Sequence, residues 1–430
     1  VLLLTIDTLR ADHLSLHGYR RRTSPRLDAF AADAAVFERA YTYWPKTRGS
    51  FVALLTGRRD SQTGYSKTHP GLLGFNPTLA GVLKAAGYRT AAVVDNGNLA
   101  ADNGYGLGFE SYRETWLEKD LRTEMDRTRA ITEAGARFLR EASGDPPFLL
   151  WVHYVNPHAP YQPPPPFDTA FLDEEARRGK ALPVVAGFHG GIPRRWEKPG
   201  ERRLGYYVAQ YDGEIAAVDQ EVGTLLEALR SSPHADNTVV VVTSDHGESL
   251  GDHDYYFDHG EDVFEPSLRV PLLVRVPGGA RGVRVQALAS LLDLVPTVLD
   301  AVKVSYPPDL AGKSLLPFLA GRDDERDRLF ARNDRGLSAT WDRSRRLVAR
   351  PLGSGARFSL YELPDEAVDV GASQPDALRT HRRELELFVE RGDREWVRTR
   401  ALAGDATPSR MTPQACENLK ALGYVQQCGG

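Results

Sequence analysis

Sulfur nucleophiles are scarce in this sequence: 430 residues hold two cysteines, Cys416 and Cys428, both near the C-terminal end. They form either a bridge across a terminal helix or two free thiols, and neither reading fixes the compartment. Long apolar runs are missing too. None approaches the roughly 20 residues of a membrane-spanning helix, so no span is expected within these residues. Charge of one sign is not in excess either: the net charge of −4 gives no reason to expect nucleic acid or an acidic membrane as partner. No internal repeat and no low-complexity tract occurs, which excludes a solenoid. What remains is ordinary globular composition, 41% hydrophobic and 26% charged, in a chain long enough for a large core plus a small one. Residue 1 already lies in an apolar run, VLLLTID, so the natural N-terminus is expected upstream, with room there for a signal peptide or anchor.

The most informative stretch is Val239 to Gly260, VVVVTSDHGESLGDHDYYFDHG. Four valines and a threonine predict a strand buried on both faces. It stops at Ser244, Asp245, His246 and Gly247, and ligands of open α/β sheets bind beyond strand carboxyl ends. A carboxylate beside an imidazole there suits one divalent metal. His253 and His259 follow on a polar loop that can fold back over the same place.

Other segments repeat the pattern. Val1 to Ile6 reads as a buried strand ending in Asp7. Thr23–Ser24–Pro25 opens a helix expected to run to about Ala35. In YTYWPKTRGSFVALLTGR (41–58), a loop with Lys46, Thr47 and Arg48 enters an apolar helix that stops at Gly57. Thr47 is thereby expected at a helix start, where unpaired N–H groups and the dipole stabilise an anion. Helices are further expected over 79–86, 123–142, 205–229 and 287–301, and strands over 89–94, 148–152 and 271–276. Asp95, Asn96 and Asn98 end one of these strands, and HYVNPHAPYQPPPP, with His153 and His158, ends another. Residues 164–200 read as an insertion near the mouth of the site. From about Asp327, short alternating segments predict a small antiparallel sheet, followed by a helix over 375–391. The expected fold is therefore α/β: a large mixed, mostly parallel sheet sandwiched by helices (1–326), then a smaller α+β unit (327–430) with an antiparallel sheet and a helix.

Asp7, Thr47, His153, His158, Asp245, His246 and His259 thus all fall at strand ends or a helix start, which argues for one metal-centred pocket. The segments IDTLRADHLSLHGY, TSPRLDAFA, KTRGSFVALLTGR, GYRTAAVV, HYVNPHAPY, SDHGESLGDH and DHGEDVFEPSLRVPLLVRVPG follow one another over about residues 1–320, and LKALGYV closes the chain. In these the chain resembles a sulfatase-type member of the alkaline phosphatase superfamily. The resemblance implies an alkaline phosphatase-like fold, with Asp7, Asp245, His246 and the nucleophile Thr47 as metal ligands. It also implies a periplasmic or secreted location.

The departures are informative. True sulfatases carry at position 47 a Cys or Ser that is oxidised to formylglycine, within a Cys-x-Pro-Ser-Arg-like motif. Here Thr47, Arg48, Gly49, Ser50 and Phe51 stand there, and threonine cannot give that aldehyde. The Lys and His that follow the Gly-Tyr-Arg-Thr strand in arylsulfatases are absent, and His259 replaces a further lysine. A Thr nucleophile is found in relatives that act on phosphorus, among them phosphoethanolamine transferases and phosphodiesterases. His158 and His259 match the histidines that contact the phosphoryl group or a second metal in the transferases.

The expected activity is therefore metal-dependent hydrolysis of a small-molecule phosphodiester or phosphonate monoester. A divalent ion (Zn, Mn, Ca or Mg) would activate Thr47, and Lys46, Arg48, His153, His158 and His259 would serve the phosphoryl group. A sulfatase-like hydrolase working without formylglycine, and a catalytically weak anion-binding protein, are the alternatives. Asp12 and His253 are secondary ligand candidates, for which a structural hydrogen-bonding role is preferred. The oligomeric state is open.

Overall fold

The structure, a computed structural model, describes residues 1–142, 145–179, 181–321, 326–403 and 413–422. Its centre is an eight-stranded sheet. In chain order the strands are β1 (Leu2–Ile6), β2 (Ala35–Tyr41), β3 (Arg89–Val94), β4 (Ser111–Glu114) and β5 (Phe148–Tyr154), then β6 (Val240–Ser244), β7 (Arg269–Arg275) and β8 (Val283–Ser290). Across the sheet the order is β8-β2-β7-β6-β1-β5-β3-β4. Only β7 is antiparallel to its neighbours; every other pairing is parallel. The α/β, mostly parallel expectation therefore holds.

Alternate residues of the central strands feed two cores. Leu3 and Val241 pack with Phe51, Leu54, Val295 and Val298 from α2 (Thr47–Thr56), the helix after the short α1 (Pro25–Ala31), and from a helix at Leu294–Ala301. On the opposite face Leu2, Leu4, Val240 and Val242 meet Ile131, Leu139, Ile215 and Val222, from helices Glu124–Glu141 and Leu204–Arg230. Each such side chain contributes on the order of 1.5–3 kcal/mol by leaving water. A sheet so covered is rigid, which is what a site on its rim requires.

Two expectations needed correction. The helix starting at Pro25 ends at Ala31, and Ala35–Tyr41 is strand β2, whose Glu38 and Arg39 had obscured an otherwise buried run. The helix expected over 287–301 is split: Val283–Ser290 is strand β8, and the helical turn begins only at Leu291. Ser290 makes the break, because its hydroxyl accepts from the Leu292 N–H as a cap. Beyond residue 327, β9 (Leu329–Arg332), β10 (Ser338–Trp341), β11 (Arg345–Leu352) and β12 (Gly355–Glu362) form the expected antiparallel sheet. The helix that follows is longer than expected, Pro375–Ala403. This sheet shares a core with the larger one: Trp341, Leu329 and Val348 pack with Tyr41, Phe264 and Leu288. A last helix, αC (Pro413–Ala421), carries Cys416, which is disulfide-bonded and so not a free thiol. Cys428 lies outside the described residues.

Candidate active site

Register dictates the floor of the site. Ile6 pairs with Ser244 on one side and with Tyr154 on the other, so Asp7 and Asp245 leave the sheet side by side. Gly247 lets the strand-end loop turn immediately, because a Cβ there would collide with the Pro266 carbonyl. Strand β2 runs in the same direction as β1 and β6 and delivers the chain to the same edge, where α2 begins. Lys46 occupies the cap position and Thr47 is the first helical residue, not the cap. Gly49 leaves room for the Trp44 indole against the first turn. Ser50 then ties the helix to the floor, its hydroxyl donating to the Asp245 carbonyl at 2.7 Å.

The donor atoms are oriented. Asp245 Oδ1 accepts from the His246 and Thr8 N–H groups at 3.0 and 3.3 Å. Asp7 Oδ2 accepts from the Asn96 amide at 2.7 Å. Their other oxygens, Asp7 Oδ1 and Asp245 Oδ2, are buried with no hydrogen bond. His246 Nδ1 lies 2.9 Å from the Gly247 carbonyl, so Nδ1 carries the proton and Nε2 presents its lone pair. That Nε2 sits 3.7 Å from Asp7 Oδ1, 3.3 Å from Asp245 Oδ2 and 3.2 Å from Thr47 Oγ1. Lone pairs turned toward one another in a buried site repel unless a cation lies among them. Among the described residues, Asp7, Asp245 and His246 form a group whose ligand atoms lie within 4.8 Å of one another, and they fit a divalent metal.

Charge balance agrees. Burial and then the Asp7 charge push the Asp245 carboxyl up to about 7. Burial also pushes Asp7 up, but His153, His158 and His246 outweigh it and hold that carboxyl below its usual range. Burial drives the His158 and His259 imidazoles toward their neutral forms.

Both of these histidines join the floor. The His259 ring centroid is 4.1 Å from that of His246, and His158 is 5.2 Å from His259. Glu248 holds His259 through Nδ1 at 3.1 Å, and His158 Nδ1 donates to the Ala159 carbonyl at 2.6 Å. His153 is placed differently. It bonds Thr5 through Nδ1 at 3.0 Å and faces Asp7 Oδ2 at 3.7 Å, the oxygen turned away from His246. Asp12 is taken up by Arg10, and His253 stacks on Phe264, so neither joins the ligand atoms. Above the floor opens a cavity of about 410 Å³, with Lys46, Arg48, Asn98 and His259 in its wall.

Several contributors escaped the sequence reading. Asn96 and Asn98 stood out at a strand end, but nothing indicated that one would hold Asp7 and the other would accept from Arg48 at 3.0 Å. Glu248 lies in SDHGESLGDH, where no local signal shows that it would hold His259. Tyr65, Lys67, Asp334, Arg335 and Leu419 also line the cavity, from distant parts of the chain. None of the described residues within 164–200 lines it. They border a separate cleft with Tyr161 and Tyr207, and touch the rim of the first through His189 and Glu261.

A sequence model of the sulfatase family matches residues 1–304. The chain belongs to the sulfatase family. It is similar to an arylsulfatase of Clostridium perfringens (strain 13 / Type A), 25% identical over 75% of this chain and 79% of that protein. It is also similar to an N-acetylglucosamine-6-O-sulfatase of Bacteroides thetaiotaomicron, 23% identical over 74% and 70% of the two. Among solved structures, a phosphonate monoester hydrolase of Agrobacterium radiobacter superposes with a TM-score of 0.75 over 91% of this chain and 95% of that one. At 21% identity, that likeness speaks to the fold. The alkaline phosphatase-like architecture and membership among hydrolases of ester bonds follow for this sulfatase-family chain.

Proposed function

We propose that this sulfatase-family hydrolase cleaves phosphodiesters or phosphonate monoesters of small molecules, with Thr47 as nucleophile. The observation that carries the reading is the convergence of Asp7 Oδ1, Asp245 Oδ2 and His246 Nε2 beside the Thr47 hydroxyl. A divalent cation bound by these residues would supply Lewis acidity, favouring ionisation of the hydroxyl and neutralising charge on the ester. Thr47 Oγ1 forms a bond to phosphorus as the bond to the leaving oxygen breaks, giving a phosphoryl- or phosphonyl-threonine. Lys46, Arg48, His158 and His259 bind the non-bridging oxygens and the departing group. Water then cleaves the Thr47–phosphorus bond and restores the hydroxyl. His153 supports Asp7 from behind. The Cys416 disulfide suits an oxidising compartment outside the cytoplasm.

A second reading, sulfate ester hydrolysis by the same hydroxyl, is favoured by the sulfatases among the relatives. Turnover of aryl phosphodiester, aryl phosphonate and aryl sulfate, with and without chelator, separates the two. Faster metal-dependent turnover of the phosphorus esters is expected; preference for sulfate would reverse the assignment. His158→Ala and His259→Ala are expected to slow turnover about 100-fold each while the protein keeps its metal. Unchanged rates in both would remove the two histidines from the chemistry.

A further inference from the structure

The turn that steadies the floor is itself held from the far end of the chain. Asn96, Gly97 and Asn98 follow β3, and all three are buried. Asn96 donates to Asp7 Oδ2 and accepts from the Asn98 N–H at 2.9 Å; Asn98 Oδ1 accepts from Arg48 Nε. One short turn therefore orients both a candidate metal ligand and a candidate anion contact. A single turn of 3₁₀ helix has too few internal bonds to fix its own position. The Gly97 N–H supplies an anchor: it donates to Asn418 Oδ1, on αC, at 2.7 Å. The helix that presents Asn418 is seated by Cys416, Leu419 and Leu422, all buried, and Leu419 also lines the cavity.

We propose that Asn418 is a positioning residue for the active site, acting through Gly97 on the Asn96–Asp7 and Asn98–Arg48 bonds. This rests on the reading of Asp7 as metal ligand and Arg48 as anion contact. Hydrogen bonds behind a metal ligand set its orientation, and their loss typically lowers metal affinity or activity by about 10- to 100-fold. Asn418 stands one bond further out, so a smaller effect follows.

The test compares full-length wild type, Asn418→Ala and Asn418→Asp, with Thr47→Ala and Asp7→Asn beside them. Zn²⁺ alone is titrated into the metal-free proteins, kcat and KM are measured on the ester that wild type turns over, and Tm is recorded. Asn418→Ala is expected to bind Zn²⁺ roughly threefold to tenfold more weakly and to lose a similar factor in kcat/KM. Asn418→Asp keeps an oxygen acceptor for the Gly97 N–H and is expected to recover both. A helix that merely stabilised the fold would lower Tm and leave Zn²⁺ affinity unchanged. Wild-type affinity and kcat/KM in Asn418→Ala, or an Asn418→Asp as impaired as Asn418→Ala, would overturn the inference. If Thr47→Ala retains full turnover or Asp7→Asn full Zn²⁺ affinity, the underlying functional reading fails and this inference with it. If both controls are impaired and Asn418→Ala is not, the inference alone fails.

Discussion

Glu265 and Glu366 meet Arg346 at the seam between the two sheets, whereas Asp7 and Asp245 meet each other at the end of the large sheet, with imidazoles 3.3–3.7 Å away. At the seam every carboxylate oxygen has a partner. Arg346 donates to Glu366 Oε1 and Glu265 Oε2 at 2.5 and 2.8 Å, Tyr41 to Glu265 Oε1, and the Glu265 N–H to Glu366 Oε2. The Arg346 guanidinium also lies 4.7 Å over the Trp341 ring. On the floor, one oxygen of each aspartate is tied down and the other is buried with no hydrogen bond. A protein that can place an arginine between a buried and a half-buried acid has done so for structure at the seam. On the floor it has left one oxygen of each aspartate without a donor, which suits a cation that comes from outside.

The largest effects are expected from breaking the floor. Thr47→Ala removes the proposed nucleophile and should cut turnover by about 10³-fold or more. The fold should remain, because Lys46, not Thr47, sits at the cap of α2. Thr47→Ser keeps a hydroxyl and should keep measurable turnover. Full activity in Thr47→Ala would mean that water attacks directly. Asp245→Ala or His246→Ala should lose metal and turnover together, each taking away one proposed ligand. Stoichiometric metal and normal rates in both variants would sink the metal assignment and the contrast with the seam.

Breaking the seam should show the opposite profile. Arg346→Met leaves Glu265 with only the distant Arg269 and Glu366 with only His253, each at 4.0 Å, a change expected to cost about 3 kcal/mol of stability. Denaturant unfolding should register it, while KM and metal content of the folded protein stay near wild type. A variant as stable as wild type would show that the seam relies on packing around Trp341 and not on the ion pairs.

Much of the floor was legible because it is written in short range. A buried strand announces itself by an unbroken apolar run, and the residue after it must lie at the sheet edge, so Asp7 and Asp245 could be placed from VLLLTID and VVVVTSDH alone. Their adjacency was not legible, since it depends on the Ile6–Ser244 register. The seam was invisible for a related reason. Arg346 lies 81 residues from Glu265, and no local pattern distinguishes it from an arginine on a solvent-facing strand. Strand β2 was lost because Glu38 and Arg39 interrupt its apolar pattern, although both are half-buried in the fold. The rim at Asp334, Arg335 and Leu419 comes from segments whose approach to the large sheet is decided by packing.

The smallest expected effect bears on the comparison most directly, because it changes sign with metal. In the metal-free protein, burial and the Asp7 charge push the Asp245 carboxyl from 3.8 to about 7. The folded state then binds this proton more tightly than the unfolded chain does. Stability attributable to the group is accordingly full below the unfolded pKa and falls as pH rises toward 7. Asp245→Asn removes the charge and keeps the shape. Its carbonyl can accept from the Thr8 and His246 N–H groups as Oδ1 does now, and its amide can donate toward Asp7 Oδ1. Metal-free Asp245→Asn should therefore be more stable than metal-free wild type at pH 8, by about 1–2 kcal/mol, with the gap closing toward pH 4. With saturating metal the order should reverse, because wild type gains binding energy that the amide cannot match. Thermal melts of both proteins, at both pH values and with and without metal, read out the four cases. Metal-free wild type more stable than Asp245→Asn at pH 8 would mean that a partner within the chain already compensates the two aspartates, and the floor would be another seam.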